Sequence, residues 1–157
     1  MWYIKDRIKR KEGLISRKRR GKISLERSTQ YGKIKLNDTI FAKAVLSALA
    51  KTGGKVLCSS ERGKILGGID QKVSTGELAS NIFIRETAES YYLKFFVIMS
   101  FGASIKENCT AILNSLEKQM KTMMPDKGGR IVLRIVGVKS KKIAARNIEI
   151  VREYGLR

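Results

Sequence analysis

The chain of 157 residues has the length of one domain, at roughly 100–200 residues each, and a compact chain of this size buries about two-thirds of its unfolded surface. A hydrophobic fraction of 43% and a charged fraction of 30% allow a packed core and exclude both a disordered polyelectrolyte and a membrane-embedded protein. Thirty-three Lys and Arg against fourteen Asp and Glu leave a formal net charge of +19, which points to nucleic acid, anionic lipid or an acidic protein as partner.

The first thirty residues carry eleven Lys and Arg against three carboxylates, including the dense runs Lys9, Arg10, Lys11 and Arg17, Lys18, Arg19, Arg20, with Lys22 beyond. Like charges at this density repel in a compact state, so residues 1–30 read as a basic arm, flexible or helical only on a surface, and residues 31–157 as a single α+β domain. From 31 to 36 apolar and polar residues alternate, as in a short half-buried strand. Asn37 or Asp38 then caps a helix over 38–52, whose apolar residues Ile40, Phe41, Ala44, Val45, Ala48 and Leu49 share one face and which Gly53 and Gly54 stop. Residues 55–60 and 68–73 are weaker strand candidates around a glycine-containing loop. Residues 81–85 and 91–100 predict a hairpin, with Tyr92 and Phe96 as core on one face and Tyr91 and Phe95 on the other.

Ser104 and Glu107 have the spacing of a capping box, and the stripe Ile105, Cys109, Ile112, Leu113, Leu116, Met120, Met123, Met124 predicts a long amphipathic helix ending before Pro125. Gly128 and Gly129 read as a turn, and 130–138 as a strand with Ile131, Leu133 and Ile135 on one side. The last segment, from 139 on, reads as a short helix through Ile143, Ile150, Val151 and Tyr154. The order strand, helix, strands, hairpin, helix, strand predicts a two-layer α+β sandwich, its sheet mixed or antiparallel, with two main helices on one face.

Reactive constellations are few. The sequence contains no histidine, which excludes Ser-His-Asp and Cys-His nucleophilic sites and His-ligated zinc. Cys58 and Cys109, 51 positions apart, form no CxxC motif and read as reduced core residues of a cytosolic protein. The string Gly63-Lys-Ile-Leu-Gly-Gly68 lacks the lysine of a phosphate loop, because Ile69 and Asp70 follow it, and reads as a surface loop. Glu86 and Glu89 fall at a hairpin turn, where a solvated role is simpler than acid-base chemistry. The aromatic strand lacks the glycine of an RNA-recognition string, and no glycine pair has the spacing of a KH clamp. Neither catalysis nor a metal, cofactor or small-molecule substrate is therefore expected. The longest apolar run, 95–99, is five residues against about 20 for a spanning helix, and the N-terminus has no stretch of signal-peptide length. A cytoplasmic location is expected, with the possibility of peripheral attachment to the inner membrane face.

Two uses compete for the basic arm: counterion release from nucleic-acid phosphates and attraction to an anionic inner leaflet. Trp2, Tyr3 and Ile4 form an interfacial set that would insert beside lipid headgroups. For nucleic acid, the arm and Lys139, Lys141 and Lys142 would supply phosphate contacts.

Tyr31-Gly-Lys-Ile34, the strand Phe95-Phe-Val-Ile-Met-Ser-Phe-Gly102, Val136-Gly-Val-Lys-Ser140 and Ile143-Ala-Ala-Arg-Asn-Ile148 resemble the alkaline shock protein (Gls) family of Gram-positive bacteria over roughly 31–150. The resemblance implies a non-enzymatic cytoplasmic α+β protein of the envelope stress response. Some members are held at the membrane by a small anchor protein and self-assemble. Members of that family tend to be acidic, so the +19 charge and the first thirty residues set this chain apart and favour direct contact with an anionic surface. The resulting expectation is a scaffold attached to the inner membrane face through its basic residues and a membrane-anchored partner, the alternative being an RNA- or ribosome-binding module.

Overall fold

The structure, a computed structural model, describes residues 25–29, 32–67, 72–87 and 89–156. Leu25–Thr29 (β1) and Gly32–Leu36 (β2) pair antiparallel, with Leu25 opposite Leu36. The expected boundary near residue 30 falls between these two strands. Asp38–Ala50 (α1) starts where expected: the Asn37 side chain accepts the Ile40 N–H at 3.3 Å, satisfying one of the free donors of the first turn. Phe41, Ala42, Ala44, Val45, Ala48 and Leu49 are buried along one face, and Gly53 and Gly54 follow at φ 62° and 84°.

Val56–Ser59 (β3) lies within the first of the two weak strand candidates. Of the second, residues 72 and 73 are irregular and 68–71 lie outside the described residues. Ser74 instead caps a third helix, Thr75–Ala79 (α2), its Oγ accepting the Glu77 N–H at 3.1 Å. Five residues are too few for a hydrophobic period to register. Phe83–Glu86 (β4) and Ser90–Ser100 (β5) form the expected hairpin, with Glu86 opposite Tyr91. Ser104 caps Ile105–Met123 (α3) through a bond from the Glu107 N–H to its Oγ, 3.3 Å.

Two expectations near the C-terminus are corrected. Gly128 and Gly129 are not a turn but open the strand Gly128–Lys139 (β6). The Tyr91 ring packs so closely on Gly129 that a Cβ there would lie 2.3 Å from its Cζ, and one on Gly128 would lie 2.3 Å from the Gly155 carbonyl oxygen. The segment read as a terminal helix is a strand, Ile143–Tyr154 (β7), antiparallel to β6. Ile143, Ile150, Val151 and Tyr154 mimic helical spacing, but the branched residues favour a pleated chain and β6 supplies an edge to pair with.

Along its whole length β5 pairs in parallel with β6, and α3 makes the crossover between them. The opposite edge of β5 is shared end to end, β4 covering 91–94 and β3 covering 96–99. The order β3-β5-β6-β7, with β4 beside β3, makes a mixed five-stranded sheet among the described residues. Tyr91, Leu93, Phe95, Val97 and Met99 of β5, with Ile131, Leu133 and Ile135 of β6, pack into one core with the buried faces of α1 and α3, including Cys109, Ile112, Leu113, Leu116 and Met120. Fully burying each large side chain contributes about 1.5–3 kcal/mol. The helix layer thus covers the Tyr91 and Phe95 face. Phe96 is buried on the opposite face beside Ile98, Val132 and Val151, and Tyr92 there is half-buried. The fold is a two-layer α+β sandwich.

Candidate anionic-surface site

Of the residues expected to meet an anionic surface, Lys9, Arg10, Lys11, Arg17, Lys18, Arg19, Arg20 and Lys22 lie outside the described residues, as do Trp2, Tyr3 and Ile4. Lys139, Lys141 and Lys142 are brought together at the turn between β6 and β7. Lys139 pairs with Ile143, and the Ser140 N–H donates to the Lys142 carbonyl at 3.0 Å. Lys141 and Lys142 are exposed and Lys139 is half-buried.

Other segments end at the same place. The Phe101 N–H donates to the Lys139 carbonyl at 2.8 Å, and the Ser100 N–H to the Lys55 carbonyl at 2.8 Å. The Ala103 N–H bonds the Ser100 carbonyl at 3.1 Å, closing a turn in which Gly102 takes φ 80°, a conformation that favours glycine. This end of the sheet therefore gathers residues 50–55, 99–107 and 137–144, which contain six lysines (Lys51, Lys55, Lys106, Lys139, Lys141, Lys142) and a single carboxylate, Glu107. Among the described residues no ion pair joins any of the six to a carboxylate. Set among them are exposed apolar side chains: Phe101 at 78% exposure, Ile143 at 45% and Ile105 at 38%. Sequence reasoning assigned Phe101 to the end of an aromatic strand and Ile105 to a buried stripe. The signal it passed over is Phe-Gly directly after a strand, a turn position where an apolar ring points out.

A second cationic feature lies where the pairing of β6 and β7 shifts register. Ile135 faces Ile148 and Gly137 faces Ala145, leaving Val136 opposite Arg146 and Asn147 as a bulge. Val136, Arg146 and Asn147 line an open hollow of about 310 Å³ with Arg134, Glu61 and Arg62. Arg134 donates to the Asn147 side-chain oxygen from Nε at 3.0 Å and from Nη2 at 2.6 Å, so its guanidinium is held in place.

The nucleophilic and titratable side chains elsewhere have structural surroundings. Cys58 and Cys109 are free and buried, and burial pushes their thiols up to about 12 and about 11 respectively. Glu86 is half-buried and ion-paired with Lys127 rather than solvated at the turn, whereas Glu89 is exposed. The Glu77 carboxylate accepts the Gly67 N–H at 3.2 Å and ties down the loop after β3. Among the described residues no three Cys, Asp or Glu side chains are grouped to hold a metal ion, and no helix is long and apolar enough to cross a membrane. The chain matches no family model, no curated protein and no solved structure with which it was compared.

Proposed function

We propose that this protein is a non-catalytic scaffold of the alkaline shock type that attaches peripherally to the anionic inner face of the cell membrane, alone or beside a membrane-anchored partner. The observation that carries the reading is the lysine cluster at the β6–β7 end of the sheet, which among the described residues pairs with no carboxylate. Lysine is a compact, strongly hydrated charge that suits diffuse attraction to a headgroup layer, and each lysine near such a surface contributes about 1 kcal/mol. The basic arm adds to the same attraction. In vesicle flotation the full chain should bind bilayers containing phosphatidylserine and leave neutral phosphatidylcholine bilayers unbound. Replacing Lys139, Lys141 and Lys142 with Gln together should weaken binding about a hundredfold, from three contributions of that size. Equal binding to neutral and anionic vesicles would overturn the reading. Residues 1–24 can be deleted without cutting the β1–β2 hairpin, and that variant measures the arm's share.

The arginine-lined hollow supports a second reading, in which the anion is nucleic acid. Arginine forks match phosphate oxygens bidentately, and Arg62, Arg134 and Arg146 lie around one concavity. RNA affinity should then fall with a slope of about 0.7 log units per log of salt for each phosphate neutralised. Replacing Arg62 and Arg146 with Gln should lower that slope. Absent or salt-insensitive RNA binding removes this reading.

A further inference from the structure

We propose that Phe101 is the element that enters the bilayer, with Ile143 and Ile105 resting at the headgroup boundary beside it, so that the protein meets the membrane end-on at the β6–β7 tip. This rests on the membrane reading above and specifies which atoms carry it.

Phe101 is 78% exposed, while Phe41, Phe95 and Phe96 are each 0–1% exposed. Nothing among the described residues requires an aromatic ring at this position. The turn is made by the Ala103 N–H and by Gly102, and the Phe101 backbone is already fixed by its bond to Lys139. The ring is therefore presented outward on a rigid backbone, which limits the ordering entropy lost when it inserts. Two apolar neighbours share the surface. Ile143 pairs with Lys139, the residue whose carbonyl receives the Phe101 N–H, and Ile105 opens α3 four residues beyond Phe101.

The charges around the ring determine the partner. An apolar patch that docks another copy of this chain would bring six lysines against six lysines with two Glu107 carboxylates to offset them, a like-charge contact. An anionic bilayer instead complements all six, and its interface is where aromatic rings rimmed by lysines settle, the ring below the headgroups and the ammonium groups among them. An apolar patch confined to one end also gives a definite orientation, with the helix layer and the arginine hollow left on the flanks.

The test uses the full chain with Trp2 replaced by Phe, so that Phe101→Trp carries the only indole. On binding phosphatidylserine-containing vesicles its emission should shift to the blue and be quenched by lipids brominated near the headgroup end of the acyl chain. In the natural background Phe101→Ala should weaken vesicle binding about ten- to hundredfold, the loss expected for one buried aromatic side chain. Because the site is exposed, neither variant should change the far-ultraviolet circular dichroism spectrum. Vesicle binding with unshifted emission and an unaffected Phe101→Ala would overturn the insertion while leaving membrane attachment intact. If the unaltered protein does not float with anionic vesicles, the membrane reading fails and the insertion with it. Should Phe101→Ala leave vesicle binding unchanged but turn a dimer into a monomer in sedimentation, the patch is a contact between copies and the insertion is overturned.

Discussion

Glycine 129 carries a constraint that its neighbours in β6 do not. The Tyr91 ring, 1% exposed and packed at 6.0 Å against Tyr154, occupies the space where a side chain would stand. Gly129→Ala should therefore destabilise the protein by about 1–3 kcal/mol, the usual cost of overpacking a filled core, measured as a lower denaturant midpoint with an unchanged m-value. In a Tyr91→Ala background the same substitution should cost less, and a double-mutant cycle reads the difference. The cysteines make the complementary case, in which burial silences a reactive group. With thiols raised to about 12 and about 11, the thiolate fraction at pH 8 is on the order of 10⁻⁴ for Cys58 and 10⁻³ for Cys109. Ellman's reagent should titrate neither in the native protein and both after denaturation. Their role as core residues was legible from type alone, whereas the crowding at Gly129 was not, since adjacent glycines before a strand carry the local signature of a turn.

Elements were legible where local chemistry and burial agree. The cap at Asn37, the capping serine at Ser104 and the stripe from Cys109 to Met124 each repeat one period with one start signal, and α1 and α3 follow. The strand β7 defeated the same logic because its apolar residues are unevenly spaced: the bulge sets two residues, Arg146 and Asn147, opposite Val136 alone, and the one extra residue breaks the two-residue alternation. Pairing partners decide such a segment, and they are remote in sequence. One tie between elements gives a pH prediction. Arg152 of β7 and Lys121 of α3 both reach Glu117, at 3.2 and 2.7 Å. Partial burial acts to raise its carboxyl, but the hydrogen bonds and charges of Lys121 and Arg152 prevail and hold it below the usual value. A carboxylate lowered in the folded state stabilises fully above its ordinary range and loses that contribution as pH falls through the lowered value. Glu117→Gln should thus lower the melting temperature at pH 7 by a few degrees at most, from a pair worth about 0.5–1 kcal/mol, and the gap should close below about pH 4. A gap that widens in acid would contradict the assignment.

Across the whole molecule, charge and apolar surface are distributed unequally. Several cations on or next to the described strands are neutralised locally: Lys94 by Glu149, Arg130 by Glu153, Lys127 by Glu86 and Arg152 by Glu117. No described carboxylate pairs with the lysines at the β6–β7 end, and three of the four large hydrophobic residues exposed among the described ones stand beside them. Composition alone revealed the excess charge, and Lys139, Lys141 and Lys142 could be named from sequence. Their convergence with Phe101, Ile143 and Lys55 could not, because it depends on β5 and β6 running parallel and ending together. The most direct measurement places the full chain, phosphatidylserine-containing vesicles and total cellular RNA in one density gradient at near-physiological salt. Flotation of the protein with the vesicles, lost when Lys139, Lys141 and Lys142 are changed to Gln, is the expected result. Migration of the protein with RNA while the vesicles float free would contradict membrane attachment and assign the basic surface to nucleic acid.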